Sequence, residues 1–534
     1  MKKFSKVLVS ILLAVSLCAC SEIPTLDVDS SEGENSVTDE SSSSSVSYEE
    51  SGPGQFDITR QEFVVKLNAE GAVLNKAEIL EDGEFDGRGY TRLNKGASLT
   101  HIVNTQTAQH YRFVLAVRSE KGASISISIK EKTEGMFYVL PSEKDNKGNI
   151  SREFVYAALD CVYLARGKNV FTLRVENGSA DIDYIIIENS DGIDRSYYRT
   201  GTSAENPFAS IEVVGAMKYF SDIYGEYSLS AVNVSVGTNA EIDALYGITG
   251  RYPAIRGSEL AYAVVDNPDK LEKLDKDIGL AAEYSESGGI VSYKWHWYSP
   301  NRLRSVKTGA FDMTGLFEQA NLEDLYTMST AELEQLNKNG YLSTELYSII
   351  TDIDKTAEYL TRLKDKKVVT LFEPLPNPDS GLYWWGDDPE SYKTLYALIF
   401  DRLCLYHRLS NLIFIYNGGS MDYYPGSQYC DIVGQSFFEK SDSAFAGRFF
   451  AVADALPTKK MLAVTSRDVI TSADNMDRDN ALWLFSAIES GPYLINENGV
   501  FSTAYNTAAD LRKNYNSTVI ITRDELPDIA KYAV

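Results

Sequence analysis

Apolar and polar residues alternate in two different ways along the chain. From residue 56 to residue 190, short runs such as SISISIK and NVFTLRV alternate apolar and polar positions, and Gly, Asn, Asp and Lys separate them. A period of two predicts strands with one buried face, and no helical period intervenes. We therefore predict an all-β jelly-roll sandwich domain over residues 56–190.

A different pattern begins near residue 198, where apolar strand-like runs alternate with helical ones. VVTLF predicts a buried strand, and so do NLIFIYN, CDIVGQSFF, MLAVTS and PYLIN. AGRFFAVADAL and DNALWLFSAIES are predicted to be helices, and TDIDKTAEYLTRLKDKK has an apolar helical face formed by Ile353, Ala357, Leu360 and Leu363. No glycine-rich phosphate loop follows the first strand, so an α/β fold of the (β/α)8 TIM barrel type is favoured over residues 198–534. Functional residues are then expected at the carboxyl ends of the strands.

The amino terminus predicts export from the cell. Residues 1–20, MKKFSKVLVSILLAVSLCAC, place three lysines around the start of an apolar run that is too short to span a membrane stably. LCAC at 17–20 resembles a bacterial lipobox, which implies that 1–19 is a lipoprotein signal peptide and that Cys20 carries a lipid. Cleavage at an ordinary signal peptidase site and an uncleaved anchor are the alternatives. The expected location is the extracellular face of a bacterial cell.

The composition of the following residues limits the class of ligand. Residues 20–55 contain nine acidic residues, no basic residue and a run of five serines, so they are predicted to be an extended linker. The formal net charge of −25 argues against nucleic acid or an acidic polymer as ligand and is compatible with a neutral one. Cys161, Cys404 and Cys430 are widely spaced without a CxxC motif, which predicts buried free thiols.

Several motifs of the carboxy-terminal region resemble a known family of enzymes. They are TGRYPA at 249–254, GGIVSYKWHWYSP at 288–300 and YPGSQYCDIVGQSFF at 424–438. In this order and spacing they resemble glycoside hydrolase family 26, the β-mannanases. The resemblance spans residues 210–534 and implies a (β/α)8 barrel that acts on or binds β-mannan or another neutral plant polysaccharide.

The chain departs from this family at the catalytic positions. The family motif RPxHExNGxWFWWG carries the general acid, and WWG stands at 384–386 here. Counting back without gaps places Glu373 at the motif's arginine, Asn377 at its general acid and Asp379 at its asparagine. The family's nucleophile strand reads AVTSRD here, which places Ser466 at the nucleophile.

These departures imply a barrel without its catalytic carboxyls. A retaining glycosidase needs two carboxyl groups about 5–5.5 Å apart. Asn377 has no proton to donate at neutral pH, and Ser466 would need a base to activate it. Glu373, Asp379 and Asp468 are the carboxyls that a relocated mechanism would use.

The resemblance also implies substrate-binding residues. Trp384 and Trp385 offer ring faces on which a sugar can stack, and His296 matches a subsite residue of the family. Packing in the core is the alternative for each of them. Trp295 is the remaining candidate, and it fits the barrel core better.

The amino-terminal domain carries a weaker resemblance. FDGRGY at 85–90 looks like a turn of carbohydrate-binding modules of families 35 and 6, and DIDY at 181–184 looks like their last strand. The resemblance implies a structural calcium ion with Glu70 and Asp183 as ligands, although Asn68 stands where the modules often have glutamate. A spacer domain without a ligand is the alternative. No cofactor is implied for the barrel.

Three functions follow as hypotheses. The first is a lipid-anchored surface protein that binds β-mannan or manno-oligosaccharides through a catalytically degenerate barrel and contacts the membrane only through its lipid. The second is an active endo-β-1,4-mannanase that uses relocated carboxylates. The third is a non-catalytic adhesion or scaffold protein.

Overall fold

The structure, a computed structural model, describes residues 63–82, 87–142, 153–190 and 192–532. The predicted signal peptide, the lipidated Cys20, the linker and the first two residues of the FDGRGY turn lie outside the described residues. Of the helices in the described ranges, none is long and apolar enough to cross a bilayer.

Antiparallel strands form the amino-terminal domain. Within the described residues they are β1 (Val64–Asn68), β2 (Val73–Glu81), β3 (Gly89–Thr105), β4 (Gln109–Arg118), β5 (Ala123–Ile129), β6 (Lys132–Val139), β7 (Val155–Leu164) and β8 (Gly167–Asn189). The long strand β8 organises the domain, because its first part pairs with β3 and β5 and its last part with β1 and β4. Phe171, Leu173 and Val175 of β8 are buried and alternate with more exposed neighbours, as the period of two predicts.

A closed barrel of parallel strands forms the carboxy-terminal domain. In the described part of the chain the strands are β9 (Ser228–Asn233), β10 (Ile255–Glu259), β11 (Ile290–Trp295), β12 (Thr370–Pro374), β13 (Leu412–Asn417), β14 (Ile432–Phe437), β15 (Met461–Arg467), β16 (Phe485–Ile488) and the short β17 (Ile520–Ile521). Strands β9 to β16 pair in sequence order, and β9 closes the ring by pairing with both β10 and β16. The predicted fold class, a TIM barrel preceded by an all-β domain, is confirmed.

Helices cover the outside of the barrel. Those described are α1 (Ile211–Ile223), α2 (Ala240–Thr249), α3 (Pro268–Glu286), α4 (Leu322–Thr327), α5 (Thr330–Lys338), α6 (Thr344–Asp365), α7 (Pro389–Asp401), α8 (Ala446–Ala455), α9 (Ala473–Asp479), α10 (Ala508–Tyr515) and α11 (Ile529–Tyr532). In α6 the predicted apolar face is buried, and Ser343 caps the helix by accepting a hydrogen bond from the backbone N–H of Leu346.

One segment of the barrel differs from the sequence-based prediction. DNALWLFSAIES is not a helix, because α9 ends at Asp479 and the strand β16 spans Phe485–Ile488. PYLIN, predicted to be a strand, begins with a 3₁₀ turn over Gly491–Tyr493 instead. A strand of a parallel barrel is buried on both faces, so its continuous apolar run has no period that distinguishes it from a buried helix. The correction places Glu489 directly at the carboxyl end of the eighth barrel strand.

The two domains pack directly on each other along β6. Ser441 Oγ donates a hydrogen bond to the carbonyl of Thr133 at 2.9 Å, and Ser443 Oγ donates to Glu134 Oε2 at 2.8 Å. In α8, a Cβ atom on Gly447 would lie only 2.4 Å from a backbone oxygen of β7. The sandwich therefore has a fixed position beside the carboxyl ends of the barrel strands.

Candidate functional site

A cleft of about 310 Å³ opens at the carboxyl ends of the barrel strands. Residues at the ends of β9, β10, β11, β14, β15 and β16 and in the loop after β12 form its walls. Those used below are Asn233, Glu259, Lys294, His296, Asn377, Tyr383, Phe438, Ser466 and Glu489. This is the location at which the barrel fold concentrates functional residues.

An ion pair between Lys294 and Glu489 forms the base of the cleft. Lys294 Nζ lies 2.7 Å from Glu489 Oε2, and the lysine also donates a hydrogen bond to Ser466 Oγ. Ser466 and Asn233 donate to the same glutamate oxygen at 2.9 and 3.0 Å. Burial by itself would raise the pKa of Glu489, but the charge and hydrogen bond of Lys294 outweigh it and lower that pKa to about 2. Glu489 is therefore ionised at neutral pH.

A second pair of contacting side chains, His296 and Glu259, lies in the same cleft. His296 Nδ1 is 2.5 Å from Glu259 Oε2, and Glu259 Oε1 accepts hydrogen bonds from the backbone N–H groups of His296 and Ala261. Burial by itself would lower the pKa of His296, but the carboxylate of Glu259 outweighs it, so that pKa is raised. The imidazole is thus held in one orientation and keeps its proton over a wider pH range.

Asn377 and Ser466 are brought together by the fold. Both line the cleft, although 89 positions separate them in the sequence. Asn377 has a left-handed backbone with φ of 51°, which asparagine adopts more readily than most residues, and its N–H donates to the carbonyl of Asn417 at 2.8 Å. Neither side chain carries a carboxyl group.

The three carboxyls predicted as catalytic substitutes do not line the cleft in the described part of the chain. Glu373 is fully buried and accepts a hydrogen bond from Asn417 at 2.7 Å. Burial raises the pKa of Glu373, although the positive charge of Lys294 acts to lower it. Asp379 lies in a different cavity. Asp468 is 2% exposed and accepts from the backbone of Lys440. The structure therefore does not support these residues as an acid and nucleophile for a ligand in the cleft.

The stacking role predicted for the tryptophans is also corrected. Trp384, Trp385 and Trp295 are all 0% exposed, and the indole N–H groups of the first two donate to backbone carbonyls. Burial of these large rings stabilises the core, but it leaves no face for a sugar. The adjacent Tyr383 stacks on Trp385 with ring centroids 4.5 Å apart and does line the cleft. Phe438, 47% exposed, is a second aromatic ring in its wall.

Sequence reasoning missed six of the nine residues named for the cleft: Asn233, Glu259, Lys294, Tyr383, Phe438 and Glu489. Lys294 precedes Trp295 in GGIVSYKWHWYSP, and Tyr383 directly precedes the WWG motif. Glu489 falls within the segment predicted to be a helix. The available signal was the run ALWLFSAI before it, which is apolar except for Ser486 and is followed by the polar sequence ESG.

The described residues contain no group of three or more His, Cys, Asp or Glu side chains that could hold a metal ion. Glu70 follows β1 and accepts a hydrogen bond from the backbone N–H of Arg88 at 3.0 Å, and Asp183 lies in β8. Residues 83–86, which precede Arg88, are outside the described ranges, so the calcium site stays a prediction. The three cysteines from 161 onward are buried free thiols, as predicted.

The sequence profile of Glycosyl hydrolase family 26 matches residues 205–525, more than half of the chain. The chain belongs to glycoside hydrolase family 26. The family resemblance predicted from the motifs is thereby confirmed. The mannan endo-1,4-beta-mannosidase of Thermothelomyces thermophilus is 27% identical over 368 residues, which cover 68% of this chain and 71% of that protein. Mannan endo-1,4-beta-mannosidase A of Piromyces sp. is 23% identical over 478 residues, covering 87% of this chain and 73% of the relative.

Solved structures of family 26 proteins share the fold. The GH26-CBM35 beta-(1,4)-mannanase of Podospora anserina aligns with a TM-score of 0.53 at 21% identity, over 88% of this chain and 99% of that one. A ruminal GH26 endo-beta-1,4-mannanase aligns with a TM-score of 0.58 at 20% identity over the same shares of the two chains. At these identities the likeness concerns the fold, and it extends over both domains.

Proposed function

We propose that this family 26 protein binds β-mannan or manno-oligosaccharides in the cleft and does not cleave them. In this proposal a lipid on Cys20 and the acidic linker hold the two folded domains at the outer surface of a bacterial cell. The bound polysaccharide would stay near the cell for other enzymes. The membrane is contacted through the lipid only.

One observation is the main support for the proposal that the protein does not cleave mannan. Asn377 and Ser466, at the positions that the family motifs give to the general acid and the nucleophile, both line the same cleft, and neither is a carboxylic acid. An amide cannot supply the proton that the leaving oxygen needs. Ser466 Oγ donates to Glu489 and accepts from Lys294, and the lowered pKa of Glu489, about 2, makes that carboxylate a weak base for the serine proton.

The other side chains of the cleft support a sugar as ligand. The pairs Lys294–Glu489 and His296–Glu259 hold polar side chains in place for a ligand, and hydrogen bonds from hydroxyls to charged groups are worth about 1.5–3 kcal/mol. Tyr383 and Phe438 add apolar ring faces. The similar proteins from Thermothelomyces thermophilus and Piromyces sp. are mannan endo-1,4-beta-mannosidases, which makes β-mannan the polymer to test.

The first test is hydrolysis. We expect the purified protein to release no reducing sugar from β-mannan or mannohexaose, because a positioned proton donor alone accelerates such reactions by about 10²–10⁴-fold and the family's nucleophile is absent too. A reducing-end assay with chromatography of the products measures this, with an active family 26 mannanase as positive control.

A second function, retaining hydrolysis, is favoured by the two carboxylates of the cleft, Glu259 and Glu489. Glu489 would attack the anomeric carbon to form a glycosyl ester, and His296, whose pKa is raised, would pass its proton to the leaving oxygen. Water would then hydrolyse the ester, which releases Glu489 and returns a proton to His296. Three donors already share the reactive oxygen of Glu489, which lowers its nucleophilicity. Mannan cleavage that disappears in Glu489→Gln would establish this function and overturn the binding proposal.

Binding is tested through Tyr383. We expect Tyr383→Ala to bind mannohexaose about 2- to 10-fold more weakly than the wild type, since an aromatic contact adds about 0.5–1.5 kcal/mol beyond burial. Titration calorimetry, or retardation in gels that contain galactomannan, measures the change. Tyr341→Ala is the matched control: this tyrosine is 77% exposed and, in the described part of the chain, lies outside the cleft. A wild-type protein without any affinity for mannan would leave only the adhesion or scaffold function.

A further inference from the structure

A second cavity, of about 250 Å³, lies between the two domains. Its floor is formed by the carboxyl ends of β13 and β14, where Asn417 and Gln435 stand. Its outer wall is strand β6 of the sandwich, which contributes Met136 and Tyr138. Pockets for small ligands occur preferentially at such domain interfaces.

The cavity adjoins the cleft of the barrel. Asn377 lines both of them. The consecutive residues Phe437 and Phe438 lie on the two sides of this boundary: Phe437 lines the cavity and Phe438 lines the cleft. The two spaces are therefore adjacent, and a linear ligand in the cleft would reach the cavity by passing Asn377.

Unsatisfied polar atoms in the wall indicate that the cavity accommodates a polar ligand. Asn417 is 1% exposed, and its Oδ1 accepts no hydrogen bond from any described residue. The Oε2 atom of Glu439, another lining residue, is likewise buried without a donor among the described residues. Buried acceptors are normally hydrogen-bonded, and an acceptor left without a donor destabilises the fold. Sugar hydroxyl groups would supply the missing donors.

An aromatic ring and a planar cation stand in the wall of the cavity. Tyr138 is 62% exposed, although its neighbours on β6, Phe137 and Val139, are buried. The guanidinium of Arg448 lies 5.2 Å from the centre of the Tyr138 ring, and its Nε donates to Gln435 Oε1 at 2.8 Å. A ring face beside fixed planar polar groups is suited to a sugar ring, which has an apolar face and polar edges.

The position of the tyrosine relative to the barrel is fixed by the contacts between the domains. Ser441 and Ser443 of the barrel hold Thr133 and Glu134 at the start of β6, and Tyr138 lies on the same strand. These hydrogen bonds attach β6 to the barrel, and Tyr138 on the same strand lines the cavity between the domains.

We propose that this cavity is a sugar subsite to which both domains contribute, with Tyr138 as its stacking ring. A polysaccharide chain bound in the cleft continues past Asn377 and places its next sugar units against Tyr138, Asn417 and Arg448. The sandwich then acts as part of the barrel's binding site. This proposal rests on the proposed binding of mannan by the cleft.

The test uses ligands of different length and the full protein. Titration calorimetry with mannobiose, mannotetraose and mannohexaose compares the wild type with Tyr138→Ala. We expect Tyr138→Ala to weaken mannohexaose binding about 2- to 10-fold, the range expected for one aromatic contact, and to leave mannobiose binding in the cleft unchanged. Tyr341→Ala again serves as control, and thermal unfolding of each variant confirms an intact fold.

The outcomes separate this proposal from the proposed function. A wild type that binds no manno-oligosaccharide would end both. A wild type that binds, with Tyr138→Ala unchanged at every length, would overturn the shared subsite and leave binding in the cleft intact. A loss in Tyr138→Ala that is equal for mannobiose and mannohexaose would overturn it as well, because a distal subsite contributes only to ligands long enough to reach it.

Discussion

Lys294→Met should lower the free energy of unfolding of the barrel by about 3 kcal/mol at pH 7, because the carboxylate of Glu489 would then be buried without its cation. This loss is at the low end of the range for breaking a buried ion pair, because the side chain of Glu489 is 23% exposed. Urea unfolding followed by tryptophan fluorescence measures it. All five tryptophans of the chain lie within the barrel, so the signal reports on that domain.

The loss of unfolding free energy in Lys294→Met should depend on pH. In the wild type the pKa of Glu489 is lowered from 4.5 to about 2, so its stabilising contribution is complete above pH 4.5 and is lost as the pH falls toward 2. The variant lacks this contribution, and protonation of Glu489 relieves its unpaired charge in acid. The difference between the two proteins should therefore shrink as the pH is lowered. An unchanged difference from pH 7 to pH 3 would contradict this account of the ion pair.

Two further variants separate charge from shape in this experiment. Lys294→Met combined with Glu489→Gln removes both charges and should recover much of the lost stability, because a neutral pair has no buried charge to compensate. Lys393→Met is the control for loss of a lysine: Lys393 pairs with Glu390 at 2.5 Å, but Glu390 is 82% exposed. Such surface pairs contribute about 0–1 kcal/mol.

Asp277→Ala should destabilise the barrel by about 3–5 kcal/mol, because it leaves the guanidinium of Arg256 without its partner in a fully buried site. Arg256 Nη2 lies 2.7 Å from Asp277 Oδ1, and both side chains are 0% exposed. Tyr293 and the N–H of Gly237 donate to the same carboxylate at 2.6 and 3.0 Å. The variant thus breaks a complete hydrogen-bond network on the outer side of β10 and β11. The same fluorescence-detected unfolding measures the loss.

Asp275→Ala is a closely matched control for Asp277→Ala. Asp275 lies two residues away on α3 and also pairs with an arginine, Arg362, at 2.6 Å, but the two side chains are 55% and 45% exposed. Water screens this pair and solvates the partner that remains, so we expect a change within about 1 kcal/mol. Equal effects of the two substitutions would show that burial does not determine the strength of these ion pairs.

The extent to which sequence predicts this fold depends on the segment. Helix α6 has a clear apolar face from Ile353 to Leu363, and the run NVFTLRV within β8 alternates buried and more exposed positions, so a helix and a strand were predicted correctly there. The run that contains β16 was assigned to a helix, because a strand buried on both faces has no alternation. Only its pairing with β9 and β15 identifies it as the eighth barrel strand.

The candidate site was predicted in part. Matching the chain to the family motifs selected Asn377, Ser466 and His296, and all three line the cleft. The same matching selected Trp384 and Trp385, whose rings are buried, because a one-dimensional motif does not indicate which way a side chain points. Glu489 could not be connected with Lys294 from the sequence, since 195 positions separate them.

The sequence by itself determined the identity of the side chains and the periodicity of the elements: a family 26 barrel, a β-sandwich before it, and an amide and a hydroxyl at the family's two catalytic positions. The tertiary structure decided which side chains share a space. Barrel closure brings Lys294, Ser466 and Glu489 from three strands within hydrogen-bonding distance, and packing along β6 places Tyr138 beside the barrel cavity. The reason is physical: local backbone preferences act over a few residues, whereas charge pairing, burial and ring contacts act between residues that only the folded chain brings together.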